Sequence, residues 1–221
     1  MEDTKIRFKF NKLNEYKYLS HLEIVRLMIM AVCRADINIK YSEGFNPNPK
    51  INFSFPVPVG LASTAEYSDI DIKGTMDASG FKENINLQLS KYLQVSDAKN
   101  IFNKVPSLMG DITFCRYIFS IDMQGKNLEE QVRNDILNCK DFSGSIYSLE
   151  FIKCDNMGDV VNLSIIGYTK PLTNNKIFKF NDFLKYFKHL SNNMDIVVKD
   201  YFKNEAYTIR DGMLKTPLEV V

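Results

Sequence analysis

The sequence holds no run of about 18 apolar residues, the length a membrane-spanning helix needs. Its charged start, MEDTKIRFKF, lacks the apolar core of a secretory signal, so a cytoplasmic protein with no membrane partner is the expectation. An excess of either charge is lacking too, with 28 Lys+Arg against 27 Asp+Glu and a net charge of +1. Tight non-specific nucleic-acid binding draws its affinity from many uncompensated phosphate contacts, so any nucleic-acid role here needs a local patch. The four cysteines, Cys33, Cys115, Cys139 and Cys154, form no CxxC pair, and only His21 and His189 could supplement them. That spacing argues against a zinc or iron–sulfur site and for reduced thiols packing as small hydrophobes. The glycines are scattered, and GxGxxG, Walker, GxSxG and HExxH patterns are all absent.

What is present is core material. At 45% hydrophobic and 25% charged, 221 residues suit one large domain or two of about 110 residues. Lys5 to Lys12 alternates, with Ile6, Phe8 and Phe10 on one side and Lys5, Arg7 and Lys9 on the other, the period of a half-buried strand. Ser20-His21-Leu22-Glu23 reads as a capping box that opens a helix reaching Ala35. That helix is apolar nearly all round and is expected to pack on more than one side. Extended runs follow at Ile51 to Val59 and Glu66 to Lys73, then a helical pattern at Gly80 to Tyr92 and a strand-like run to Phe102. The second half repeats the order. Thr113 to Asp122 is extended, Asn127 to Cys139 helical, Ser145 to Cys154 and Val160 to Thr169 extended, Asn181 to Leu190 helical and Ile196 to Tyr207 extended. Asn156-Met157-Gly158-Asp159 reads as a hairpin turn between the middle strands. Strand, helix, strand, strand, helix, strand is the split βαβ order. The sequence therefore predicts an α+β protein of two tandem ferredoxin-like units with antiparallel sheets, residues 1–107 and 108–221. Pro106 to Gly110 interrupts both periods at the boundary.

The segment Lys40 to Gly60, KYSEGFNPNPKINFSFPVPVG, holds four of the chain's seven prolines, Pro47, Pro49, Pro56 and Pro58. Each fixes φ and removes an amide donor, which stiffens Asn46 to Lys50 and makes Phe55 to Val59 an edge or strap. Such a loop can hold Tyr41, Ser42, Glu43, Phe45, Asn46 and Lys50 at fixed separations, as a binding edge or as a turn whose aromatics pack. His21 falls at the first position of the helix, beside free amides that suit phosphate or carboxylate, and a neutral imidazole there can accept a proton. Arg26 and Arg34 are unusual on an apolar helix and read as an anion clamp or as intramolecular pairs, Glu23 lying three residues before Arg26. For the basic row Lys5, Arg7 and Lys9, a charge ladder with Asp69 and Asp71 across paired strands is preferred to an RNA platform.

The stretch from Leu19 to Ile72 resembles a bacterial family called radical SAM-linked, or radical SAM-associated, proteins. The resemblance rests on Ser20-His21-Leu22, Arg26, Arg34-Ala35, Tyr41-Ser42-Glu43-Gly44-Phe45-Asn46-Pro47, Pro49-Lys50, Pro56, Gly60, Ser63 and Glu66-Tyr67. It covers residues 1–75 well and the remainder by length and general pattern. It implies a domain of unknown function that occurs alone or fused behind a radical SAM enzyme with a cobalamin-binding-like domain, acting as an accessory or substrate-presenting partner. The enzyme would carry the iron–sulfur cluster and S-adenosylmethionine, with cobalamin a candidate third group; this chain has no CxxxCxxC run, and no cofactor of its own is expected. Asn48 stands where the family's motif commonly has His or Arg. The leading reading is a non-catalytic module that partners a radical SAM enzyme and engages RNA through His21, Arg26, Tyr41, Ser42, Glu43, Phe45, Asn46 and Lys50. The alternative is a metal-independent ribonuclease resembling the CRISPR repeat-processing endonucleases. There His21 would take the 2′-hydroxyl proton while Lys50 and Arg26 stabilise the phosphate. The glycine-rich C-terminal loop of those enzymes is missing. A third reading is a scaffold whose loop docks the enzyme.

Overall fold

The structure, a computed structural model, describes residues 3–123, 128–153, 160–171, 175–194 and 196–221. Cys154 and the expected turn Asn156 to Asp159 lie outside the described residues. The fold is mixed α and β, and the chain divides into two compact units, Met1–Ile112 with Ala206–Val221, and Thr113–Glu205. The expected single division after residue 107 is linear. The last segment groups with the first unit because its Leu218 is buried and its Pro217 carbonyl accepts from Arg7 at 3.2 Å.

The first unit starts with β1 (Thr4–Lys12), a turn of 3-10 helix (Asn14–Tyr18) and α1 (His21–Arg34). It continues through β2 (Ile51–Phe53), β3 (Ala62–Ile72), α2 (Ala78–Asn86), β4 (Val95–Asn100) and the short α3 (Leu108–Asp111). β1 lies between β4 and β3, antiparallel to both, and β2 pairs with β3. Alternation in β1 sends Ile6, Phe8 and Phe10 onto one face, where Ile24, Met28 and Val32 of α1 and Phe81 and Ile85 of α2 close the core. The Phe8 ring lies 5.2 Å from that of Phe81. The capping box forms in full: the Glu23 amide donates to Ser20 Oγ and the Ser20 amide to Glu23 Oε2.

Three expectations shift. α1 packs on one side, with Ile24, Met28, Ala31 and Val32 buried while Leu22 is 65% exposed. The run from Ile51 is a strand only to Phe53, because Pro56 and Pro58 cannot donate to a ladder. The helix expected to Tyr92 ends at Asn86, whose side chain instead brackets Val95, accepting from its amide and donating to its carbonyl, both at 2.8 Å.

The second unit contains β5 (Phe114–Met123), α4 (Leu128–Asn138), β6 (Ile146–Lys153), β7 (Val160–Tyr168) and α5 (Phe180–Asn193). The long β8 (Ile196–Arg210) belongs to it through Glu205. The strands run β8-β5-β7-β6. Its core is aromatic, with Phe119 of β5 facing Phe180, Phe183 and Phe187 of α5 at 5.8, 5.4 and 5.5 Å between ring centres. β8 then turns at Asp211 and Gly212, both at positive φ, into β9 (Met213–Lys215), a hairpin not foreseen from the sequence. No helix among the described residues is long and apolar enough to cross a membrane.

Candidate functional site

Between Ile39 and Ile51 the chain leaves the first unit as a closed tongue. The Lys40 amide donates to the Asp71 carbonyl at 2.8 Å, the Lys50 amide to the Lys40 carbonyl at 2.7 Å, and the Asp71 amide to the Lys50 carbonyl at 3.0 Å. Tyr41 bridges Pro49, and the Ser42 amide reaches the Asn48 carbonyl at 2.8 Å. Asn48 returns its own amide to Ser42 Oγ at 2.9 Å and its Nδ2 to the Asn46 carbonyl at 3.1 Å. Asn48 is therefore a clasp within the tongue, a role that needs no charge. These bonds leave Glu43 to Pro47 as the tip, turned by Gly44 at φ 125°. Glu43, Asn46 and Lys50 are exposed, Tyr41 is exposed, and Phe45 is fully exposed. Lys40 ties the base of the tongue to Asp3 through an ion pair at 2.5 Å, which raises its pKa above the usual lysine value.

His21 stands apart from the tongue. It opens α1, and its exposed ring meets Phe53 edge-on at 5.7 Å. From there a groove of about 440 Å³ runs past Val25, Ile51 and Asn52 to Leu108 and Met109 of α3, with Lys5 also lining it. That volume lies in the range of small-molecule sites. Neither Arg26 nor any of the expected tongue residues lines this groove. Arg26 is exposed on α1, and the Glu23 carboxylate beside it is bonded to the Ser20 amide, which holds its pKa below the usual glutamate value.

Sharing His21 and Phe53 with this groove is a narrow crevice not foreseen from the sequence. Lys12, Ser54 and Glu66 reach into it, all buried, among Phe10, Phe53 and Tyr67. Ser63 Oγ donates to Glu66 Oε1 at 2.7 Å, and Lys12 Nζ donates to the Leu19 carbonyl at 2.9 Å. Burial lowers the pKa of Lys12, against the pull of Glu66 and Glu23. A signal for it exists in the sequence: Lys12 continues the inward series Ile6, Phe8, Phe10, a cation on the core face of a strand.

The expected charge ladder forms. Lys5 lies opposite Asp71 and Arg7 opposite Asp69. Lys5 Nζ is 3.9 Å from Asp71 Oδ1, while Arg7 is fully buried and grips Asp69 with two bonds of 2.7 and 2.9 Å. No group of three or more His, Cys, Asp or Glu that could hold a metal ion occurs among the described residues.

No curated protein matches the chain. Among solved structures, an unknown protein from Galdieria sulphuraria and a candidate glycine cleavage system transcriptional repressor each align over 91% of this chain and 99% of their own. Both are 10% identical with a TM-score of 0.28, too low to carry an argument. A family model described as "Uncharacterized protein conserved in bacteria (DUF2344)" matches residues 5–144, more than half of the sequence. The chain belongs to that family, a bacterial domain often found fused to or alongside radical SAM enzymes.

Proposed function

We propose that this chain is a non-catalytic accessory module of a radical SAM enzyme in the bacterial cytoplasm, and that its tongue, Tyr41 to Lys50, holds an RNA-containing substrate for that enzyme. The observation that carries the reading is Phe45. A phenylalanine wholly in water at the tip of a loop closed by backbone bonds gains nothing for the fold, whereas a base stacked on it is worth about 1–3 kcal/mol. Lys50 at the base of the tongue supplies a cation for a phosphate, and the exposed Arg26 a second. The catalytic power belongs to the partner, since the chain has no CxxxCxxC run to hold a cluster. In the second unit the strand order β8-β5-β7-β6 supports a ferredoxin-like reading, and in the first β4-β1-β3 with β2 on β3 does the same. On this view 1–107 carries the family motif and 108–221 a second unit of the same class.

Ultraviolet crosslinking of the purified protein to total cellular RNA over a salt series tests it. The expected crosslinks fall in the peptide from Tyr41 to Phe55. Phe45→Ala should reduce them roughly 5- to 150-fold, the equivalent of a lost stacking contact. Lys50→Ala and Arg26→Ala should each flatten the salt dependence by about one unit of slope. No crosslink above background, or crosslinks indifferent to all three variants, sinks the reading.

A further inference from the structure

The crevice beside His21 holds a buried cation short of partners. Lys12 is 3% exposed, yet among the described residues no carboxylate forms an ion pair with it, and its one hydrogen bond goes to the Leu19 carbonyl. An ammonium has three N–H donors, so two are unused. Ser54, also 3% exposed, accepts from the Tyr67 amide at 3.3 Å, and its own hydroxyl proton has no acceptor among the described residues. Burying charge and donors without acceptors is costly, and a fold keeps such a group where something else supplies the acceptor. The free space is about 10 Å³, room for one oxygen-sized group.

The segments of the family motif that lie apart in sequence meet at this point. His21, Pro56, Glu66 and Tyr67 all line the crevice, and Ser63 holds Glu66. Glu66 also limits the charge of what can enter, because the Lys12 ammonium beside its carboxylate offsets one further negative charge and a dianion would bring a second. A monoanionic carboxylate fits that limit, with one oxygen inside the crevice and the rest of the molecule outside. The adjoining groove shares His21 and Phe53 with the crevice and offers Val25, Ile51, Leu108 and Met109 to an apolar body.

We propose that the crevice and groove form a binding site for a small carboxylic acid with an apolar body. One carboxylate oxygen takes the spare donors of Lys12 Nζ and Ser54 Oγ, and the hydrocarbon part lies against Phe53 in the groove. This site is separate from the tongue and stands whether or not RNA binds there.

The test is a titration of the full chain carrying 13C-labelled lysine, following the Lys12 side-chain resonance. The probes are isovalerate, its neutral isostere isovaleramide, and inorganic phosphate. Isovalerate should shift the Lys12 signal saturably, and isovaleramide should bind at least about tenfold more weakly, because its neutral oxygen brings no opposite charge to the Lys12 ammonium. Phosphate should give no saturable shift. Binding of isovalerate should weaken as pH rises and Lys12, already lowered by burial, loses its proton. Ser54→Ala should weaken isovalerate several-fold with the fold intact, and Lys12→Met should abolish the heat of isovalerate binding in isothermal titration calorimetry. The wild-type titration decides even where Lys12→Met fails to fold. No saturable shift with isovalerate, equal binding of the amide, or saturation by phosphate alone each overturns the proposal, and a structural water is then the crevice's occupant.

Discussion

Arg7 carries a full charge in a place with no exposed atoms, and its surroundings account for it bond by bond. Nε and Nη2 take the two oxygens of Asp69, Nη1 the Pro217 carbonyl at 3.2 Å, and Nη2 also the Pro106 carbonyl at 3.3 Å. A satisfied buried pair can be neutral for stability, while a pair with one partner removed leaves an uncompensated charge. Arg7→Met should therefore cost about 3–5 kcal/mol in urea denaturation, and Arg7→Met with Asp69→Leu should recover a large part of that loss. A single substitution costing under about 1 kcal/mol would show that the charge is not buried as described. The opposition of Arg7 to Asp69 was readable from alternation and strand order. The burial was not, because it depends on Pro106 and Pro217, about 100 and 210 residues along the chain.

At the scale of elements, α1 shows how local chemistry places a functional residue. Ser20 and Glu23 satisfy each other's amides and so fix the first turn that carries His21. Ser20→Ala should cost about 1 kcal/mol and disturb the His21 ring's contact with Phe53. Glu23 titrates below its usual value because the Ser20 amide bonds its ionised form. Its contribution is present above the unfolded value of 4.5 and fades as pH falls through the lowered folded value. The stability difference between the wild type and Glu23→Gln should accordingly shrink in acid, and a difference constant with pH would refute the box. Capping, the β1 alternation and the order of elements in the second half are local signals, and all were legible. Which face of α1 is buried, where the strand after Ile51 stops and how Lys12 comes to line one crevice with His21 depend on distant partners. The tongue falls between: its prolines and Gly44 announced a stiff loop, but its closure by Ser42 and Asn48 follows from the pairing of Lys40 with Lys50.

For the whole molecule, the first unit is built from two separate stretches of chain, and its stability should depend on the second as much as on the first. Besides Pro217, the C-terminal stretch brings Arg210 to Asp111 at 2.5 Å and Thr208 Oγ1 to the same oxygen at 3.2 Å. It also buries Leu218. Removing Thr216 to Val221 exposes the surface that Leu218 covers and deprives Arg7 Nη1 of its acceptor, a combined loss of about 2–4 kcal/mol. Leu218→Ala should reproduce the apolar share, about 2 kcal/mol or more. Pro217→Ala, which keeps the carbonyl but trims a buried ring, should cost less than the truncation. The chain has no tryptophan, so far-ultraviolet circular dichroism in urea is the direct readout. Hydrogen exchange then locates the effect: amides of β1 should exchange faster in the shortened chain, because Arg7 on that strand has lost its anchor. A shortened chain as stable as the full one would mean that the first unit closes within Met1–Ile112.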